Sequence, residues 1–135
     1  MIFLDSSFLI AYYNSLDKHN KKASEIMNQL ISGKYGVPCL SDYIFDEVVT
    51  VLSIRSKDKS VSIALGEILR ESLEIIKINE ELFDKSWNIF KDQKNTSFSF
   101  TDCTNLAVMQ EYGLSHIATF DEDFTKFKGI SIIDG

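Results

Sequence analysis

Residues 1–7 read Met1-Ile2-Phe3-Leu4-Asp5-Ser6-Ser7. Ile2, Phe3 and Leu4 form an unbroken apolar run, which fits a short strand covered on both faces; a strand with one wet face would alternate. The run ends on a carboxylate. Two hydroxyl residues follow it, and either Ser6 or Ser7 is suited to cap a short helix reaching Tyr13.

Outward from this stretch the same grammar repeats. Ala23, Ile26, Met27, Leu30 and Ile31 recur at three and four, predicting a helix over about 18–32 that Gly33 and Gly36 end. Val37 to Leu40 reads as a second strand, with Pro38 at its beginning or on an edge. Ser41 or Asp42 opens a third helix buried through Phe45, Val48, Val49 and Leu52. A fourth helix buries Val61, Leu65, Ile68 and Leu69. Leu73 to Ile78 is a third strand. Phe83, Trp87 and Phe90, with Leu82 beside them, mark the buried face of a fifth helix, and Cys103, Leu106, Ala107 and Gln110 that of a sixth. His116 to Phe120 and Ile130 to Ile133 complete five strands. Strands alternating with helices predict a three-layer α/β/α fold around a parallel, roughly five-stranded sheet. No repeat, linker or low-complexity tract divides the chain, so residues 1–135 are expected to form one domain.

In such sheets, ligands bind beyond the carboxyl ends of the strands. Asp5 follows the first strand and Asp121 the fourth; Asp102 lies in the first turn of the sixth helix. Glu47 sits among Ile44, Phe45, Val48, Val49 and Val51, where an acid is either paired or functional. Each acid alone has an ordinary explanation as a cap or a solvated charge. Together they need more. Two carboxylates about 4 Å apart repel by roughly 4 kcal/mol at an effective dielectric near 20. Arg55 and Arg70 are the only arginines. Converging acids therefore call for a cation, and oxygen-only ligands suit hard ions such as Mg²⁺ or Mn²⁺.

The chain carries 20 Asp+Glu against 14 Lys+Arg, a net charge of −6, with 44% hydrophobic residues. This balance argues against an avid, broadly basic nucleic-acid binder. Cys39 and Cys103 form no CxxC pair, so a reducing, cytoplasmic setting is expected rather than a disulfide scaffold. Asp5 interrupts the apolar start, which lacks a basic flank, so no signal peptide is read there. No apolar run approaches the roughly 20 residues of a membrane span. GxxxxGK[ST], GxSxG and HExxH are absent. Asp121-Glu122-Asp123 lacks the later Gly and Glu of a calcium loop.

Four pieces, in order, resemble the PIN domain, the nuclease fold of VapC-type toxins: Phe3-Leu4-Asp5-Ser6-Ser7, Asp46-Glu47-Val48, Phe100-Thr101-Asp102 and Ala118-Thr119-Phe120-Asp121-Glu122-Asp123-Phe124. The resemblance spans essentially the whole chain. It implies a metal-dependent endoribonuclease using Mg²⁺ or Mn²⁺. By motif position, Asp5, Glu47, Asp102 and Asp121 match the family's acidic set, and Asp123 a less regular fifth acid. Ser7 matches a supporting hydroxyl, with Thr119 beside it. The resemblance also implies a homodimer and a small antitoxin partner that blocks the pocket. The alternative is a PIN-like module that binds RNA or protein without cutting; retention of all four acids weighs against it.

Arg55, Lys57, Lys59, Lys91 and Lys94 are the candidate phosphate contacts, with ordinary surface charge equally in play. His19 and His116 are not spaced as a metal pair, and structural or solvent roles are expected for both.

Overall fold

The computed structural model describes residues 1–133; the expected domain of 1–135 extends two residues outside that range. Five strands form one sheet: β1 (Ile2–Leu4), β2 (Pro38–Ser41), β3 (Glu74–Ile76), β4 (His116–Ala118) and β5 (Ser131–Ile132). Every pairing is parallel, in the order β3-β2-β1-β4-β5. Six helices complete the three-layer α/β/α fold: α1 (Ser6–Tyr13), α2 (Asn20–Ile31), α3 (Asp42–Ser56), α4 (Lys59–Ser72), α5 (Glu80–Asp92) and α6 (Phe100–Glu111). A 3₁₀ turn, Glu122–Lys126, precedes β5.

The local rules explain the boundaries. Ser41, Asn79 and Ser99 cap α3, α5 and α6 by accepting hydrogen bonds from backbone N–H groups that the helix leaves free. Gly113, at φ +64°, follows α6 in the left-handed conformation that favours glycine. Pro38 opens β2, where its missing N–H costs least; β2 lies inside the sheet, so the edge placement does not apply. Ile2, Phe3 and Leu4 are fully buried, as the central position of β1 requires.

From β1 the chain crosses to β2 and β3 on one side, whereas β4 and β5 occupy the other. The carboxyl ends of β1 and β4 therefore flank the point where the strand order reverses, the usual crevice of an open parallel sheet.

Four helix faces differ from expectation. On α5 the buried face is Leu82 and Ser86; Phe83, Trp87 and Phe90 are 45%, 49% and 36% exposed. Both stripes have helical spacing, and the one turned inward contains a serine, so the aromatic one dominates the pattern. Ser86 hides its hydroxyl by donating to Leu82 O at 2.6 Å. On α4, Leu65 and Leu69 face inward with Ser62 and Gly66, while Val61 and Ile68 stay half exposed. The buried face of α3 is Ile44, Val48 and Leu52; Phe45 and Val49 lean on α4, within 3.4 Å and 3.5 Å of where a Gly66 Cβ would stand. On α6, Gln110 is exposed at the end of an otherwise buried stripe. β4 stops at Ala118, two residues short, and β3 is trimmed at both ends.

Candidate active site

Asp5 sits at the N-cap of α1, immediately beyond β1, but its side chain caps nothing. Its backbone N–H donates to Ala118 O at 3.0 Å, which locks the ends of β1 and β4 together. The carboxylate is 3% exposed and is held from three sides. Thr119 Oγ1 donates to Oδ2 at 2.6 Å and Ser7 Oγ donates to the same oxygen at 2.9 Å. Asn105 Nδ2 donates to Oδ1 at 3.0 Å. The two hydroxyls also accept from the β4 exit: Ser7 Oγ from Phe120 N and Thr119 Oγ1 from Asp121 N, each at 3.0 Å. Ser7 and Thr119 thus tie Asp5 to the loop that carries Asp121. Neither Ser6 nor Ser7 caps α1; the local rule gives way to side-chain contacts across the sheet edge.

Burial pushes the Asp5 carboxyl above its usual range, against hydrogen bonds from Thr119, Ser7, the Ser6 backbone and Asn105 that lower it. All these partners are neutral. Asp102 is pushed up to about 6, first by desolvation and further by the charges of Asp5 and Asp121; its hydrogen bonds with Ser99 act the other way. Three acids thus share one electrostatic environment. Asp102 is also part of a capping box: Ser99 Oγ accepts from Asp102 N at 3.1 Å, and Asp102 Oδ2 accepts from Ser99 N at 3.0 Å.

Glu47 comes from the second turn of α3 and accepts a 2.6 Å hydrogen bond from Ser6 Oγ, next in sequence to Asp5. Asp121 caps the 3₁₀ turn, its Oδ1 accepting from Asp123 N at 3.0 Å. Asp123 faces a cation instead, since Lys126 Nζ lies 3.0 Å from its Oδ1. Among the described residues, no three acidic, histidine or cysteine side chains already gather as a ligand cluster.

The basic candidates divide between the far end of α3 and the stretch that precedes α6. Arg55 is eight residues beyond Glu47 on α3, about 12 Å along the helix axis at 1.5 Å per residue. Lys57 and Lys59 continue past that end of α3 into α4. Lys91 lies over the Trp87 ring, 5.9 Å from its centroid. Lys94 lines a cavity of about 380 Å³ with Lys85 and Lys126. His19 stacks on Phe120 at 4.3 Å, and His116 Nδ1 lies 3.2 Å from Ser115 Oγ.

The sequence reading missed Ser6 as the partner of Glu47, and it missed Asn105. Asn105 is fully buried, binds Asp5 through Nδ2 and leaves its Oδ1 without a hydrogen-bond partner. One signal was present: Asn105 lies three residues after Asp102, on the same side of α6. The donor set consists of hard oxygens around a buried carboxylate that only neutral groups hold, with an orphaned amide oxygen behind it. That chemistry fits a hard divalent cation.

A family model described as PIN domain matches residues 2–130. The chain is similar to a VapC ribonuclease of Archaeoglobus fulgidus, at 26% identity over 125 residues, covering 90% of this chain and 78% of that protein. Its fold is similar to that of VapC20 of Mycobacterium tuberculosis, described as a Sarcin-Ricin loop cleaving toxin. There the TM-score is 0.86 at 25% identity, with 100% of both chains covered. The fold is also similar to VapBC2 from Rickettsia felis bound to a DNA fragment from its promoter, with a TM-score of 0.74 at 16% identity, covering 100% of this chain and 99% of that one.

Proposed function

The chain belongs to the PIN-domain family, and from that premise we propose that it is a metal-dependent endoribonuclease, the toxin of a VapBC-type pair. One observation carries the reading. Asp5 is a buried carboxylate at the point where the strand order reverses, held only by neutral donors and close enough to Asp102 to raise its pKa. A buried carboxylate facing other acids, with only neutral donors around it, is the arrangement a hard divalent cation would complete.

Asp5, Glu47, Asp102 and Asp121 would hold Mg²⁺ or Mn²⁺, directly or through water, with Asp123 at the margin beside Lys126. A bound divalent ion supplies a lowered pKa for an attacking water and neutralises charge developing on a phosphoryl oxygen. The chain's own residues prepare that site. Thr119, Ser7 and Asn105 fix both Asp5 oxygens, and Ser6 fixes one Glu47 oxygen. Ser99 holds Asp102 Oδ2, which sets the orientation of that carboxyl. The kinship with a VapC ribonuclease supports RNA as substrate, and the likeness to toxin–antitoxin folds supports a small antitoxin partner. No helix among the described residues is long and apolar enough to cross a membrane, and we read the protein as cytoplasmic.

The Asp102 capping box favours a second reading, in which this acid serves α6 and the module binds RNA without cutting it. Incubation of short RNAs with Mn²⁺ or Mg²⁺, against an EDTA control, separates the two. Fragments formed only with the metal support the nuclease; binding without fragments supports the silent module.

A further inference from the structure

We propose that the cavity between the start of α2 and the exit of β4 seats one nucleobase of the RNA, stacked on the ring of His19. The inference rests on the reading of the acids as an RNA-cutting site and adds a base-reading pocket to it. The cavity holds about 500 Å³, within the usual range for a small-ligand site. His19 forms part of its wall, the ring stacked on Phe120 with centroids 4.3 Å apart and planes 6° from parallel. Packing on Phe120 accounts for one face of that imidazole. The residue is half-buried and opens α2 without its side chain capping the helix. Its backbone N–H donates to Asp17 Oδ1 at 2.8 Å, and its carbonyl accepts from Ala23 N at 2.9 Å, so the ring is pinned at its root. A flat, fixed aromatic ring that lines a cavity is a platform on which a base stacks.

The neighbours of the ring decide what fits. Thr119 lines the same cavity and donates to Asp5 Oδ2 at 2.6 Å, so the pocket shares a wall with the acidic site. Ile26 adds apolar surface, and Lys22, Glu122 and Thr125 supply polar groups. Lys22 brings positive charge for a flanking phosphate. The Glu122 carboxylate accepts hydrogen bonds and donates none. Thr125 Oγ1 donates to Glu122 O at 2.7 Å, which leaves its lone pairs to accept as well. The pocket therefore favours a base edge that donates. Guanine sets N1–H and N2–H side by side, a match for the two oxygens of a carboxylate, whereas uracil offers one N–H between two carbonyls. Glu122 stands between Asp121 and Asp123 in the chain, so a guanine held there lies beside the bond that the acids would cut.

Two measurements on the full chain test the proposal, one of them independent of cleavage. In the first, guanosine 5′-monophosphate is titrated into the protein in Mg²⁺, and the imidazole protons of its two histidines are followed by NMR. Stacking should move the His19 signals upfield and leave those of His116, at the opposite end of β4, in place. Uridine 5′-monophosphate should produce a smaller shift and ribose 5-phosphate none. An unmoved His19, or an equal shift with ribose 5-phosphate, would overturn the proposal. In the second, cleavage in Mn²⁺ of a short RNA with guanine next to the cut is compared with cleavage of the same RNA made abasic there. His19→Ala should lower kcat/KM on the intact RNA roughly 5- to 150-fold, the usual scale for one base–aromatic stack, and cost nothing more on the abasic one. His19→Phe should restore the intact rate, and Glu122→Gln should narrow the preference for guanine over uracil. A His19→Ala loss that persists on the abasic RNA would leave the ring as a support for Phe120 alone and overturn the proposal; an unchanged preference in Glu122→Gln would overturn the choice of guanine. A His19 shift with guanosine 5′-monophosphate in a protein that cuts no RNA would keep the base pocket and remove the nuclease reading.

Discussion

Asp5 is held so that both of its oxygens are occupied and neither is neutralised. Thr119 does the most, because its hydroxyl donates to Asp5 while accepting from Asp121 N. Thr119→Val keeps the shape and removes both bonds. It should lower metal-dependent cleavage roughly 10–100-fold, as loss of a supporting hydrogen bond at a metal site does. A hydrogen bond to a charged group contributes about 1.5–3 kcal/mol, and thermal unfolding of the variant should show a loss on that scale. The acids also set a pH dependence. Asp102 has a folded pKa of about 6 against a usual 3.8, so between those values the folded chain holds more proton there than the unfolded one. Stability of the metal-free protein from this group is therefore greatest at low pH and falls as pH rises through that window. Asn keeps an acceptor for Ser99 N without the charge. In EDTA, the melting temperature of Asp102→Asn relative to wild type should rise between about pH 4 and about pH 7; a constant difference would refute the assigned cause. Among the residues, the acids were legible because each stands where an apolar run ends or intrudes on one. Asn105 was not, because its partner Asp5 lies 100 positions away and only the packing of α6 beside β1 brings them together.

At the scale of the element, α5 shows where periodicity stops being informative. Two stripes share helical spacing, Leu82 with Ser86 and Phe83 with Trp87 and Phe90, and hydrophobicity alone ranks the aromatic one first. The inward stripe is chosen by space: Ser86 fits against the interior and satisfies its own hydroxyl locally. Leu82→Ala should cost about 2–5 kcal/mol as a buried truncation. Phe83→Ala should cost under about 1.5 kcal/mol, because much of that ring is already wet. Urea unfolding of the pair decides between the two orientations, and a reversed ranking would put the aromatics inside. The other elements were nearly all legible in kind. Their ends moved by a few residues, because caps such as Ser99 and strand ends such as Ala118 depend on partners that a local pattern does not contain.

Across the whole molecule, the alternation of strands and helices was enough to specify a parallel sheet, and the rule for strand carboxyl ends was enough to place the crevice. Strand order was not legible, since nothing in a local run says that β1 lies between β2 and β4. That order brings Asp5 and Thr119 together from opposite ends of the chain. The net charge of −6 also takes on a location, because part of it is concentrated at Asp5, Asp102 and Asp121, where Asp102 registers the other two. The most direct test is RNA cleavage in Mn²⁺ by wild type, Asp5→Asn and Asp102→Asn side by side, with circular dichroism confirming that all three are folded. The account predicts fragments from wild type alone, and none from it in EDTA. Undiminished cleavage by either folded variant would contradict it.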